Sequence, residues 1–206
     1  MTTSALSMQT GASEGTQVAS HSSDPDRDIV ALVARGAIDA GLRLAMDRHG
    51  QSVYGYCREQ LRDAALAEDA LQQTFVSAHR GLARFAGRST LRTWLFGIAR
   101  HRVLDVARSR VRIRKCVDMT AAAEIADPRP AADEALAELR LRRALREALA
   151  ELDERTRSAV LLRYQQGFTF EEMAQIGREK PGTLLARVAR AMPRLRARIE
   201  GKLAGR

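Results

Sequence analysis

The sequence predicts an all-α protein of two small helical domains joined by a flexible linker. Three observations lead there. Ala, Leu, Arg and Glu dominate the 206 residues, and these are strong helix formers. Apolar residues recur at helical spacing in one segment after another, while runs of Val, Ile and Thr at period two are missing. The stretch VDMTAAAEIADPRPAADEA holds two prolines, many alanines and few large apolar residues, and it interrupts the helical pattern. The expected division is a disordered tail over 1–25, a first domain over 26–115, a linker over 116–134 and a second domain over 135–206.

The tail is rich in Ser, Thr and Gly, with neither the basic start nor the apolar run of a signal peptide. A helical pattern begins at Asp26, with Ile29, Val30, Leu32 and Val33 as its apolar stripe. A second runs from about Ala40 to Leu61, with Leu44, Met46, Val53, Tyr54 and Cys57 as candidate core. A third runs from Ala64 to Leu82, where Leu71, Phe75 and Ala78 share one helix face. Gly81 and the segment Phe85–Arg88 break that pattern. A fourth helix starts near Ser89 or Thr90, either of which can cap it. Its stripe is Leu91, Trp94, Leu95 and Ile98, so Trp94, the only tryptophan of the chain, is expected in the core. That helix ends in a basic run, Arg108, Arg110, Arg112, Arg114 and Lys115.

In the second domain, Leu136, Leu139, Leu145, Leu149 and Leu152 are expected to line one helix, and Asp153 to Tyr164 gives another. Thr169 with Glu172 reads as a capping box at the start of a short helix. Met173, Ala174 and Ile176 form its inward face, and Gly177 is the expected terminator. Pro181 suits the first turn of the next helix, which runs to Leu203 and carries Arg187, Arg190, Arg194, Arg196 and Arg198. Two helices joined by a tight turn, the second one basic, make a helix-turn-helix.

The formal net charge is +9, and much of it is Arg. Arg binds two oxygens of a phosphate at once, so nucleic acid is expected ahead of an acidic membrane surface. Cys57 and Cys116 lie far apart, and His21, His49, His79 and His101 are scattered, so neither a disulfide framework nor a metal site is expected. No apolar run approaches the roughly 20 residues that span a bilayer. A cytoplasmic protein without membrane insertion is expected. The chain has no paired carboxylates, nucleophile–base constellation or phosphate-cradling loop, which argues against an enzyme, a cofactor and a small-molecule substrate.

Three motifs carry a family resemblance. AEDALQQTF spans Ala67 to Phe75, FAGRSTLRTWLFGIARHRVLD spans Phe85 to Asp105, and LRYQQGFTFEEMAQI precedes the GT and RA pairs of the last helix. In sequence and spacing the chain from Asp26 to Leu203 resembles bacterial alternative sigma factors of the extracytoplasmic function type. The resemblance implies a subunit that binds core RNA polymerase through its beta-prime and beta subunits and directs it to promoter DNA. It places Glu68, Asp69, Gln72, Gln73 and Phe75 on a helix that docks on the polymerase. It gives the loop before the Trp94 helix a flipped base of the minus-ten element, with Phe85, Gly87, Arg88 and Ser89 in the loop and Arg92, Arg100, His101 and Arg102 behind it. It assigns minus-35 recognition to Lys180, Thr183, Arg187 and Arg190. It also implies an anti-sigma factor as a partner.

The chain departs from the family pattern at named positions. Gly177 stands for the usual Leu, Arg178 for Gly, Glu179 for a buried Ile and Lys180 for Ser. Leu185 and Ala186 replace Lys and Ser, Leu66 replaces Asp, and His101 replaces Asn. Two other readings stay open on the residues alone. One is a stand-alone helix-turn-helix regulator of duplex DNA, which has no need of the AED helix or the Gly-Arg-Ser loop. The other is a sigma-like interaction protein with weakened DNA reading, motivated by the altered turn from Gly177 to Lys180.

Overall fold

A computed structural model describes residues 25–116 and 133–204. The expected tail and linker lie outside the described residues except at their ends, as do the side chains of the basic run from Arg110 onward. The described residues form eight α-helices and no strand. These are α1 (Arg27–Ala34), α2 (Ile38–Leu61), α3 (Ala64–Leu82), α4 (Leu91–Cys116), α5 (Asp133–Ala150), α6 (Glu154–Val160), α7 (Phe170–Gly177) and α8 (Pro181–Ala204). A π-helical turn, Leu161–Gln165, follows α6.

Side-chain caps set four of the helix starts. A helix leaves its first N–H groups without partners, and a side-chain oxygen can take one. Asp63 accepts from the Leu66 N–H at 3.2 Å before α3. Thr90 accepts from the Thr93 N–H at 3.1 Å before α4. Asp153 accepts from Arg155 and Thr156 at 3.1 and 3.0 Å before α6. The capping box at α7 is complete: Glu172 accepts from the Thr169 N–H at 2.8 Å, and Thr169 from the Glu172 N–H at 3.2 Å.

Helices α2, α3 and α4 pack on one another, and α1 lies against α2. Helices α5 to α8 form the second unit. The ion pairs Lys202–Glu147 (3.1 Å) and Arg198–Glu151 (3.0 Å) show that α5 and α8 run antiparallel. The two units share one continuous core. Val53, Tyr56, Leu95 and Phe96 from the first meet Leu161, Phe168, Met173 and Ile176 from the second. Tyr56 and Ser158 share a buried hydrogen bond of 2.8 Å across the seam. Arg157 donates to the carbonyl oxygens of Leu149, Ala150 and Leu152 at the end of α5 and also reaches the Gln60 carbonyl at 3.0 Å. One guanidinium thus caps a helix and ties the units together. Cys57 lies inside this core, and burial pushes its thiol up to about 12, where it is unreactive.

Three expectations need correction. Met46 is 48% exposed, and Ala45 and His49 face inward instead. Leu145 is 38% exposed, and Ala144 and Ala148 are buried. In both helices the neighbouring helix sits over small residues one position away from the expected stripe. Small side chains allow a close approach, which then leaves the larger one on the flank. Gly177 does not terminate α7 as a left-handed residue. It is the last helical residue, and Arg178 takes the left-handed conformation at φ 53°.

The entry to α1 is fixed by charge. Asp26 is fully buried, with both carboxylate oxygens within 2.9 Å of His49 Nε2. Arg48 donates to Asp26 at 3.0 Å and to both oxygens of Asp28 at 2.9 and 2.7 Å. It also reaches the Pro25 carbonyl. Burial alone would raise the Asp26 pKa, but the hydrogen bonds from His49 and Arg48 outweigh it and hold the carboxyl below its ordinary range. The Arg48 hydrogen bonds hold Asp28 down at about 2.

Both carboxyls bind protons more tightly in the unfolded chain. Their contribution is therefore fully present above about pH 4 and is lost as the pH falls toward about 2. The denaturation midpoint of the wild type should drop across that window. Arg48→Met should flatten the drop while lowering the midpoint at neutral pH. Parallel acid profiles for the two proteins would refute this role.

Candidate nucleic-acid and partner interface

Helix α3 separates a core side from a polar side. Ala67, Ala70, Thr74 and Ala78 face inward, while Glu68, Asp69, Gln72 and Gln73 are exposed. Phe75 is only 5% exposed, so it supports this face from beneath and forms no part of it. Val76 is 44% exposed on the same helix. The sequence reading had not singled it out.

The loop between α3 and α4 rests on aromatic packing. The Phe85 and Trp94 rings lie 5.3 Å apart at 53°. Trp94 is half-buried and packs against both core clusters, as its stripe predicted. A β-carbon at Gly81 would stand 2.9 Å from Trp94 Cζ2, so the glycine leaves room for the indole. Gly87 has φ +65°, a left-handed conformation that glycine adopts without strain, and Arg88 beside it is exposed. The Ser89 hydroxyl donates to the Thr90 carbonyl at 3.2 Å. The loop therefore offers a glycine backbone and an exposed guanidinium beside the Phe85–Trp94 ring contact.

The remaining expected minus-ten residues divide into two groups. His101 is exposed, with Nδ1 3.0 Å from Asp105, and Arg102 lies 3.5 Å from the same carboxylate. Arg92 and Arg100 instead turn toward the second unit. The Arg92 guanidinium sits 4.1 Å from the centre of the Phe168 ring and donates to the Gln166 carbonyl at 2.6 Å. Burial pushes its pKa down, and these two contacts offset part of the desolvation cost. Arg100 pairs with Glu179 at 3.2 Å.

The helix-turn-helix forms from α7 and α8. Lys180, just before α8, and Thr183 and Arg190 on its first half are exposed. Arg187 is not free: its Nη2 lies 2.5 Å from Glu179, and its side chain is 18% exposed. The hydrogen bond from Arg187 holds the Glu179 carboxyl below its ordinary range, against the opposing effect of burial. Glu179, Phe168 and Gln166 are the residues that sequence reasoning missed. Their roles come from partners across the seam, and only the departure from a buried Ile marked Glu179.

Among the described residues no group of three or more His, Cys, Asp or Glu is placed to hold a metal ion. No helix of the described residues is long and apolar enough to cross a membrane.

The family model of sigma-70 region 2 matches residues 45–113, and that of sigma-70 region 4 matches residues 142–195. The chain is similar to the RNA polymerase sigma factor CarQ of Myxococcus xanthus, with 35% identity over 72% of this chain and 83% of that protein. It is 33% identical to the ECF sigma factor SigM of Mycobacterium tuberculosis, over 80% of this chain and 81% of that one. Among solved structures, the sigma factor RpoE in complex with the anti-sigma factor NepR from Bartonella quintana has the same fold, with a TM-score of 0.63 and 24% identity over 77% of this chain and 96% of that chain. CnrH in complex with the cytosolic domain of CnrY also has a TM-score of 0.63, with 21% identity over 86% of this chain and 99% of that chain.

Gly81→Ala forces the Trp94 ring to shift and should cost about 1–3 kcal/mol, the usual range for overpacking. With Trp94 the sole tryptophan, its emission should shift in the folded variant; wild-type emission and stability would refute the packing. Arg178→Gly relieves a left-handed backbone at a non-glycine residue and should stabilise the chain by about 1 kcal/mol. A lower denaturation midpoint would contradict that.

Proposed function

Because the chain belongs to the sigma-70 family, as a sigma factor of the extracytoplasmic function type with regions 2 and 4, we propose that it works as a two-unit promoter-specificity subunit, with residues 26–115 docking on core RNA polymerase and opening the minus-ten element and residues 135–206 reading the minus-35 element. It is a transcription initiation factor and performs this role in the cytoplasm without catalysis of its own.

The observation that carries this reading is the pair of outward surfaces on one small unit. A lone reader of duplex DNA needs the α8 surface and nothing else. Here the polar face of α3 and the Gly87–Arg88 loop stand out from the same helical body. Glu68, Asp69, Gln72 and Gln73 can accept from and donate to a partner helix, while Val76 supplies apolar contact. The loop captures a base that has left the stack. Unstacking costs a few kcal/mol, which contacts to the base edge and flanking phosphates return. Melting then follows from capture of an unpaired strand. In the second unit, Lys180 precedes α8 and Thr183 and Arg190 lie on its exposed side, which enters a major groove. An anti-sigma protein fits as a further partner, since the structural neighbour RpoE was solved with an anti-sigma factor bound.

Two double variants separate the roles. Asp69→Ala with Gln72→Ala should weaken the complex with core polymerase by about thirty-fold or more, as the loss of two interface contacts of over 1 kcal/mol each would. Arg88→Ala with Ser89→Ala should leave that complex intact and abolish opening of a promoter captured by the wild-type holoenzyme. Unchanged polymerase binding in the first pair, or loss of polymerase binding in the second, would refute the assignment.

A further inference from the structure

Leu185 lies on the outer side of α8 and is 53% exposed. The helix cannot turn it inward. Leu184, Val188, Ala191 and Leu195 are buried at i, i+4, i+7 and i+11, and they fix the inner side. Ala186, and Ala189 one turn on from Leu185, are also exposed, and their side chains carry no donor or acceptor. A β-carbon at Gly182, one turn before Leu185, would meet nothing within 4 Å, so the surface there is open to close approach. A single exposed leucine is ordinary on a protein surface. This one stands on a strongly cationic element. Arg178 and Lys180 in the turn and Arg190 on the helix are exposed, and α8 has no acidic residue before Glu200. That charge suits a polyanion, so the apolar spot is placed to meet the edge of a DNA duplex.

We propose that Leu185 is a specificity residue of the helix-turn-helix and selects thymine through its 5-methyl group. This rests on the reading of residues 135–206 as the unit that reads duplex promoter DNA. The N-terminal residues of the second helix in such a motif meet base edges, and Leu185 is the fifth residue of α8. Every base pair shows donors and acceptors in the major groove, and thymine alone adds a methyl group. Leucine makes no hydrogen bond, so it discriminates in two ways. Opposite thymine it takes apolar surface out of water on both partners. Opposite another base it covers an amino group, a carbonyl oxygen or a ring nitrogen, which loses water and gains no partner. Thr183 and Arg190 remain for polar contacts nearby, and Lys180 for a phosphate. The departure from Lys and Ser at Leu185 and Ala186 thus changes which base is read and does not abolish reading.

The test uses holoenzyme assembled from the full-length chain and core RNA polymerase, presented with a pool of duplexes of random sequence. The bound duplexes should share an upstream element with thymine at a fixed position. That duplex is then remade with uracil in place of each thymine of the element in turn. Uracil pairs as thymine does and lacks only the methyl group. At the position that Leu185 reads, the wild type should bind the uracil duplex about four-fold more weakly, the worth of one buried methyl-sized group. Leu185→Gln, at an exposed position, should bind the two duplexes equally. Leu203→Gln makes the same change near the end of α8, at a residue 43% exposed, and should keep the wild-type difference. The thymine reading alone is overturned if an upstream element is enriched without a fixed thymine or the wild type binds thymine and uracil duplexes equally. It is also overturned if the difference survives Leu185→Gln or is lost in Leu203→Gln as well. A holoenzyme that enriches no upstream element, or a chain that forms no holoenzyme, overturns it together with the promoter-reading role.

Discussion

Phe96 is the contact on which the arrangement of the molecule depends. It meets Tyr56 of α2 edge-on at 5.8 Å and Phe168 of the second unit edge-on at 5.0 Å. Arg92, one turn earlier on α4, covers both Phe96 and Phe168 at 5.3 and 4.1 Å. This aromatic row makes one core out of two units. Pairs of this kind add about 0.5–1.5 kcal/mol each beyond the area they bury. Against them stands the burial of Arg92 and Arg157, each pushed down in pKa by desolvation. The seam is favourable, yet it carries charges that a dry core would not choose.

Those charges connect the fold to its work. A surface made to hold phosphates must present arginines, and arginines without phosphates seek other anions. In the closed chain they find carbonyl oxygens, an aromatic face and the Glu179 carboxylate. The polar side of α3 and the Gly87–Arg88 loop stay exposed, because neither lies on the seam. The proposed docking face is thus open while Arg92, Arg100 and Arg187 are engaged within the chain.

Much of this was legible in the sequence where the physics is local. The caps at Thr90 and Thr169 and the limits of α3 follow from neighbours a few residues away. The stripe that contains Trp94 is helical periodicity alone. Most of the failures are non-local. Met46 and Leu145 lie outside because the packing partner chose the small residues beside them. Arg178, and not Gly177, adopts the left-handed turn, a choice that Gly content could not reveal. Arg92 and Arg100 meet partners 74 and 79 residues away, and no window of sequence joins them. Phe75, part of a motif read for docking, is core because its side of α3 faces α2 and α4.

The central claim is that one chain carries a unit that docks on core RNA polymerase and a unit that reads promoter DNA. The most direct measurement is co-elution of the full-length chain with core RNA polymerase on a sizing column at moderate and high salt. The account predicts a stable complex at moderate salt. No complex at either salt, with binding to duplex DNA retained, would contradict it.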